Sequence, residues 1–462
     1  MKIVMIGGGA HRVLGILRSA LAIPGVMDGG EVDLFDLNQA RSEAMGRMLL
    51  KTPEQKRCGC KIKWSGTLEE ALVGADVVGV IMPAMPPRAY FDSTEVCHRH
   101  GFISSDNISP TGALCAVRIA PVLMDIARKM ESKCPDAWLI NFVNPTAVMS
   151  GMINNHTRIR TLGVCQGFMN HLWDIPRLFG KDEIVDSMDI HAAGINHLSY
   201  IVKGNWNHQD LFTALRETLT SEWKLPNLQP WWSAAAKANI CRNVQKLYRI
   251  WRELGVLVFS SEPDGLAHLM YEEKVEEEKM EHLANGSVEQ ELQQYSNRRA
   301  EEERKFLLLL SSELDEKFWA EGWKTNPTFK RADEDIFVQI FSALSGTREV
   351  KITTSQLNHG AISGIKDREV VEYTHRMFKD KISHEGPFEI PEVVQGLSSG
   401  FAAHQTLLGD ALATEDPEAL ARALVAYPMN PYSRSSRAAF KELIAVSSED
   451  LSPAYRRAAE YL

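Results

Sequence analysis

The chain has 462 residues, 44% of them hydrophobic and 8% aromatic, a globular composition in a length that exceeds one ordinary domain. A formal charge of -9 with no long basic run argues against nucleic acid as a partner. Seven cysteines without disulfide-type spacing point to a reduced, cytoplasmic protein, and neither a signal peptide nor an apolar run of transmembrane length is visible, so no membrane partner is expected.

The chain opens on a short apolar run, Lys2-Ile3-Val4-Met5-Ile6, followed by Gly7-Gly8-Gly9-Ala10-His11-Arg12. Apolar residues then recur at helical spacing from Val13 to Leu21, and a second run, Glu31 to Phe35, ends on Asp36. Strand, glycine turn, helix, strand and terminal acid make up the order of a dinucleotide-binding βαβ unit. Gly7, Gly8 and Gly9 would let the backbone approach a pyrophosphate at the helix N-terminus, with His11 and Arg12 beside it. Asp36 is placed to accept from the ribose hydroxyls of NAD. The spacing departs from the strict glycine pattern, and a bare glycine turn after a strand is often only a turn.

Residues 37–60 read as a helix, ending near Cys58-Gly59-Cys60. One residue between those thiols is too few for a zinc knuckle, and two incidental cysteines is the simpler reading. Ala75 to Met82 is a continuous apolar strand of the kind buried on both faces of a parallel sheet. It runs into a stiff proline loop carrying Arg88. A polar turn, Ser104 to Gly112, precedes a helix from Ala113 to Glu131 with Arg118 on it. Ala137 to Val143 is the next strand, and Pro145 restricts Asn144 to an extended backbone. Thr161 to Val164 is another strand candidate, ending at Cys165. Several strands thus end in polar residues at the sheet edge where open α/β sheets bind ligands.

After about residue 185 the texture changes. Asp189 to Gly194 and Leu198 to Val202 read as antiparallel strands flanking Ile195-Asn196-His197. Residues 209–313 are mostly helical, with a densely charged, solvated stretch over 271–304. A strand-like region begins at Val350, and residues 391–462 are helical again. The expected architecture is α/β: a Rossmann-type parallel sheet over 1–185, then an α+β substrate and oligomerisation domain over 186–462.

Cys165 and His197 form the sharpest candidate pair, because thiolate and imidazole suit a divalent transition metal and leave positions open for substrate. From spacing alone, a core cysteine and a hydrogen-bonded histidine are the simpler reading. His268 and Tyr271, three apart on one helical face, are candidate proton-transfer groups or simply a helix start with a packing aromatic. Arg88 and Arg118 could hold an anionic group or form ordinary ion pairs. Trp231-Trp232, Trp319 and Trp323 read as packing residues before sugar platforms.

Together these pieces resemble glycoside hydrolase family 4, the NAD- and metal-dependent glycosidases, over almost the full length. The resemblance is carried by the glycine turn, Asp36, Arg88, Asp106 to Arg118, Asn141-Phe142-Val143-Asn144-Pro145, Gly163-Val164-Cys165 and Gly194-Ile195-Asn196-His197. Toward the C-terminus, Asn358 to Ile362, Asp367 to Glu372 and Ala426 to Pro431 add to it. It implies that Cys165 and His197 hold a divalent metal, usually Mn2+, and that Asn144 and Asn196 orient the sugar; Asn144 is also a cofactor-binding candidate, and Arg88 and Arg118 remain the candidates for binding substrate. It further implies hydride transfer from sugar C3 to NAD+, removal of the C2 proton by a tyrosine, elimination of the aglycone, water addition and return of the hydride.

Tyr271 is the first choice for that base and His268 the second. Gln166 stands where the family has a sorting or acidic residue after the metal cysteine, which leaves the leaving-group acid to His171 or a water. These departures suggest a divergent member or a sister family such as the NAD-dependent sulfoquinovosidases. A glycoside substrate and a homodimer or homotetramer are also implied. The competing readings are a plain NAD-dependent dehydrogenase of a sugar or hydroxy acid, which would accumulate NADH, and an NAD-sensing regulator, for which no DNA-binding segment is visible.

Overall fold

The computed structural model describes residues 1–168, 172–182, 187–225, 227–230, 232–259, 288–322, 330–429 and 436–462. Its N-terminal half is built on six parallel strands: β1 (Lys2–Ile6), β2 (Glu31–Phe35), β3 (Lys61–Trp64), β4 (Val77–Val80), β5 (Trp138–Asn141) and β6 (Arg160–Gly163). They lie in the order β3-β2-β1-β4-β5-β6, that of a dinucleotide-binding fold, with the strand order reversing between β1 and β4.

Alternation along the strands explains why the sheet is covered twice. Val4, Ile6, Val78, Val80 and Leu139 enter one core, whereas Ile3, Met5, Val77 and Ile140 enter the other. The first core is filled by α6 (Pro110–Lys133) and α7 (Thr146–His156), the second by α1 (His11–Ala22) and the helix Ile336–Leu344. α6 is the one described helix long and apolar enough to cross a membrane, and 72% of its apolar window is buried inside the protein. It is a core helix.

The expected helix over 37–60 is two helices, α2 (Gln39–Lys51) and α3 (Pro53–Cys58). Pro53 cannot continue α2, and Thr52 between them caps α3, its side chain accepting from Gln55 N. Cys58 and Cys60 are both buried and free, and burial pushes the Cys60 thiol up to about 12, which suits neither metal nor redox work at neutral pH. Trp319 lies under the Arg18 guanidinium and Trp232 donates to Asp182, both packing roles, while Trp231 and Trp323 lie outside the described residues. The short helix α4 (Leu68–Leu72) rests on a reciprocal cap, Thr67 accepting from Glu70 N while the Glu70 carboxylate accepts from Thr67 N. Thr67→Ala is expected to cost about 1 kcal/mol, read as a lower urea-unfolding midpoint.

Past β6 the sheet continues without a break but turns antiparallel. β11 (Val350–Leu357) pairs with β6, and β12 (Val370–Phe378) pairs with both β11 and β7 (Asp189–Ile195). β8 (Leu198–Trp206) and β10 (Val258–Phe259) complete the far edge, with β9 (Gln209–Asp210) beside β8 and β13 (Lys381–Ser383) beside β12. A separate apolar cluster, including Ile190, Leu211, Leu215, Leu247 and Trp251, anchors the helix Ala234–Leu254 to this part. The elements from residue 392 onward, led by the helix Glu392–Thr414, pack into the α6–α7 core.

Candidate functional site

The β1–α1 turn is built as its glycines demand. Gly7 takes φ +79°, and a Cβ there would stand 1.8 Å from Ile81 O at the end of β4. Gly7 and Gly8 both donate to Phe35 O at 2.9 Å, which locks the turn to the end of β2. Asp36 accepts from Gly9 N (3.0 Å) through one carboxylate oxygen and from Asn38 N (2.9 Å) through the other. Ala10 caps α1 without a side-chain hydrogen bond, and no acid stands in its first turn. That is an anion-ready helix start.

His11 and Arg12 face acids delivered from far along the chain. His11 Nε2 lies 3.4 Å from Glu303 and its ring packs on Phe306, both from the helix Val288–Ser311, while Arg41 pairs with the same Glu303. Arg12 pairs with Asp335 at 2.6 Å and stacks over Phe142. The charged stretch that reads as wholly solvated therefore closes over the glycine turn with at least one residue. A cleft of about 660 Å³ opens beside the turn, lined by His11, Arg12, Gln166 and residues 330–335. Gln166 is a tether here: its Oε1 accepts from Arg12 Nη2 (3.3 Å) and from Ile336 N (3.2 Å).

The ends of β5 and β6 and the β7–β8 turn converge on one spot. Cys165 Sγ lies 3.5 Å from His197 Nε2, although 32 residues separate them, and accepts from Gly167 N at 3.4 Å. His197 holds φ +66°, left-handed and uncommon for a residue with a Cβ, at the tip of a two-residue turn. Among the described residues no third His, Cys, Asp or Glu joins this pair as a ligand cluster. Two protein donors of this chemistry match a cation whose remaining positions go to substrate or water.

Two neighbours were not singled out from the sequence. Asn107 Nδ2 lies 3.3 Å from His197 Nε2 and donates to Asp106 at 3.1 Å. Asp106 also accepts from Asn144 Nδ2 at 2.8 Å, and Thr146 donates to Asn144 Oδ1, so the β5 end is linked through Asp106 to His197. Gly112 makes this possible, since a Cβ there would strike Asn107 O at 2.2 Å. From the residues alone Asp106 is an acid in a polar turn before a helix cap, which also describes an ordinary turn; the family resemblance ran through it without giving it a role. Asn196 is 3% exposed and donates to Glu372 at 2.8 Å.

The remaining candidates lie elsewhere. Arg88 is not in a loop but in the first turn of α5 (Pro87–Arg99), exposed and paired with Asp92 and Glu289. Proline at the first helical position starts a helix rather than extending the loop. Arg118 is half-buried on α6 and donates to Asp450 at 2.7 Å. Both arginines have carboxylate partners within the chain. His171, His268 and Tyr271 lie outside the described residues.

Comparison with known proteins then decides the lineage. The model for "Family 4 glycosyl hydrolase" matches residues 2–176, and the model for the "Family 4 glycosyl hydrolase C-terminal domain" matches residues 192–429. The chain belongs to glycosyl hydrolase family 4. Among curated relatives, an alpha-galactosidase of Bacillus subtilis (strain 168) is 30% identical over 227 residues, 46% of this chain and 50% of that protein. The match thus spans about half of that relative's length. An alpha-galacturonidase of Thermoanaerobacter italicus is 23% identical over 453 residues, covering 93% of this chain and 92% of the relative. A solved 6-phospho-alpha-glucosidase from gut microorganisms, in complex with NAD and Mn2+, superposes with a TM-score of 0.75 over 97% of this chain and 98% of that one. Its 15% identity speaks for the fold alone.

Proposed function

We propose that this family 4 member hydrolyses an O-glycosidic bond by a redox-assisted route, with NAD and a divalent cation, Mn2+ first, as its cofactors. The observation that carries the reading is the Cys165–His197 contact at the sheet end that also bears the glycine turn and Asp36. The NAD and Mn2+ held by the solved 6-phospho-alpha-glucosidase support it. When bound, the nicotinamide takes and returns a hydride at sugar C3, and the cation draws charge from the adjoining oxygen.

The chain's own groups divide the remaining work. The Cys165 thiolate and the His197 imidazole hold the cation, and the turn at Asn196 and the cis Asn144-Pro145 segment set two amides beside it for sugar hydroxyls. Asp106 holds the Asn144 amide and sits one residue from the Asn107 that meets His197, which places a carboxyl group at the same spot for proton transfer. Gly7 to Gly9 and the start of α1 receive the dinucleotide phosphates, and Asp36 the ribose. Tyr271 is proposed as the base for the C2 proton with His268 as the second choice, and His171 as an acid. Arg88 and Arg118 serve as substrate ligands only if their acidic partners give way. A homo-oligomer, dimer or tetramer, working in the cytoplasm belongs to this reading.

A panel of aryl glycosides offered with NAD+, Mn2+ and a thiol reductant in D2O tests it. Deuterium is expected at C2 of the released sugar, with no net NADH. Turnover without exchange would sink the redox route, and stoichiometric NADH would make the protein a dehydrogenase.

A further inference from the structure

Glu372 is an acid in the interior of β12, 4% exposed, within the run Val370-Val371-Glu372-Tyr373-Thr374. Strand register places it strategically. Gly163 of β6, Ser355 of β11, Glu372 of β12 and Gly194 of β7 form one row across the sheet. Cys165 lies two residues beyond Gly163, and His197 three beyond Gly194. Glu372 therefore stands in the row from which both cation-binding segments set out.

Among the described residues no lysine or arginine pairs with Glu372. Its Oε1 accepts from Asn196 Nδ2 at 2.8 Å, and its Oε2 accepts from the Ser199 hydroxyl. The Asn196 amide thus turns its NH2 toward Glu372 and its Oδ1 away. That Oδ1 is buried, and among the described residues no donor meets it. Buried acceptors are rarely left unmet without a reason, and this one belongs to the neighbour of His197.

We propose that Glu372 is a positioning residue for the cation–sugar site: it locks the Asn196 amide so that Oδ1 stays an uncommitted acceptor beside His197. This rests on Cys165 and His197 being the cation ligands. Changing a residue that orients a metal site in this way typically costs roughly 10–100-fold in metal affinity.

The test reads Mn2+ binding directly, from the paramagnetic resonance of the free ion, beside NAD+ binding and thermal melting. Wild-type binding that disappears in Cys165→Ser establishes the site. Glu372→Gln keeps the shape but offers a carbonyl and an amide, so Asn196 loses its single orientation. Mn2+ affinity is expected to fall roughly 10–100-fold, with NAD+ affinity and melting temperature unchanged. Glu372→Asp, which keeps the carboxyl group, should recover part of the loss. Wild-type Mn2+ affinity in Glu372→Gln overturns the proposal, as does a parallel loss of NAD+ binding and melting temperature, which marks a purely structural role. If Glu372→Gln does not fold, Glu372→Asp decides: Mn2+ affinity equal to wild type overturns the proposal. A wild-type protein that binds no Mn2+ removes the cation reading and this inference together, whereas wild-type binding indifferent to Glu372 removes the inference alone.

Discussion

Cys165→Ala is expected to lower kcat/KM for glycoside cleavage by about 10³-fold or more, corresponding to roughly 4 kcal/mol of lost transition-state stabilisation. The magnitude follows from the proposed site having two protein donors. Removing one leaves His197 alone, and a single imidazole does not hold a borderline-soft cation against solvent. The fold should survive, because Cys165 lies beyond the end of β6, is partly exposed, and among the described residues its sulfur meets the Gly167 N–H and the His197 ring alone. An unchanged melting temperature beside lost Mn2+ binding is the expected signature. A chelator should reproduce the loss in the wild type, and added Mn2+ should reverse it. Full activity in Cys165→Ala would remove the cation from the mechanism.

Gly7→Ala is expected to destabilise the protein by about 2–5 kcal/mol and to abolish NAD+ binding. A left-handed backbone costs a residue with a Cβ roughly 1–2 kcal/mol, and forcing a methyl into packed backbone typically adds about 1–3 kcal/mol. At Gly7 both apply: φ is +79°, and the methyl would lie 1.8 Å from Ile81 O. Moving Ile81 away displaces the β4 end, while moving the turn breaks the bonds from Gly7 and Gly8 to Phe35 O. Gly59→Ala is the control. Its φ is +65° and no heavy atom lies within 4 Å of the added carbon, so only the conformational cost of about 1 kcal/mol should appear. Urea unfolding and NAD+ titration measure both variants. Equal losses at the two glycines would refute the steric argument.

These two positions also mark what was legible. Gly7 belongs to a contiguous unit in which strand period, turn residues, helix period and terminal acid follow one another, and the observed strands Lys2–Ile6 and Glu31–Phe35 match the sequence reading. The 37–60 segment was misread as one helix because apolar period continues through Thr52-Pro53, where the side-chain cap and the proline end one helix and begin another. Arg88 was misplaced for a related reason: three prolines near a strand end look like a loop, yet Pro87 is a helix start.

Residues alone left Cys165 and His197 open between core packing and ligation; the family pattern singled them out, and the fold put their side chains in contact. Asp106 and Glu372 lie in stretches that carry the resemblance, yet neither the residues nor the pattern gave them a role, and Glu303 carried no signal. Their partners Asn144, Asn196 and His11 lie 38, 176 and 292 residues away. An acid in a turn, a strand or a charged helix has the same local signature whether it faces water or a site. The sequence by itself determined the parallel βαβ unit, the nucleotide turn and the membership of the chain, because each is written in contiguous residues. Only the tertiary structure decided which acid holds which amide and which acids close over His11 and Arg12, because those contacts are made by strand register and helix packing across the whole chain.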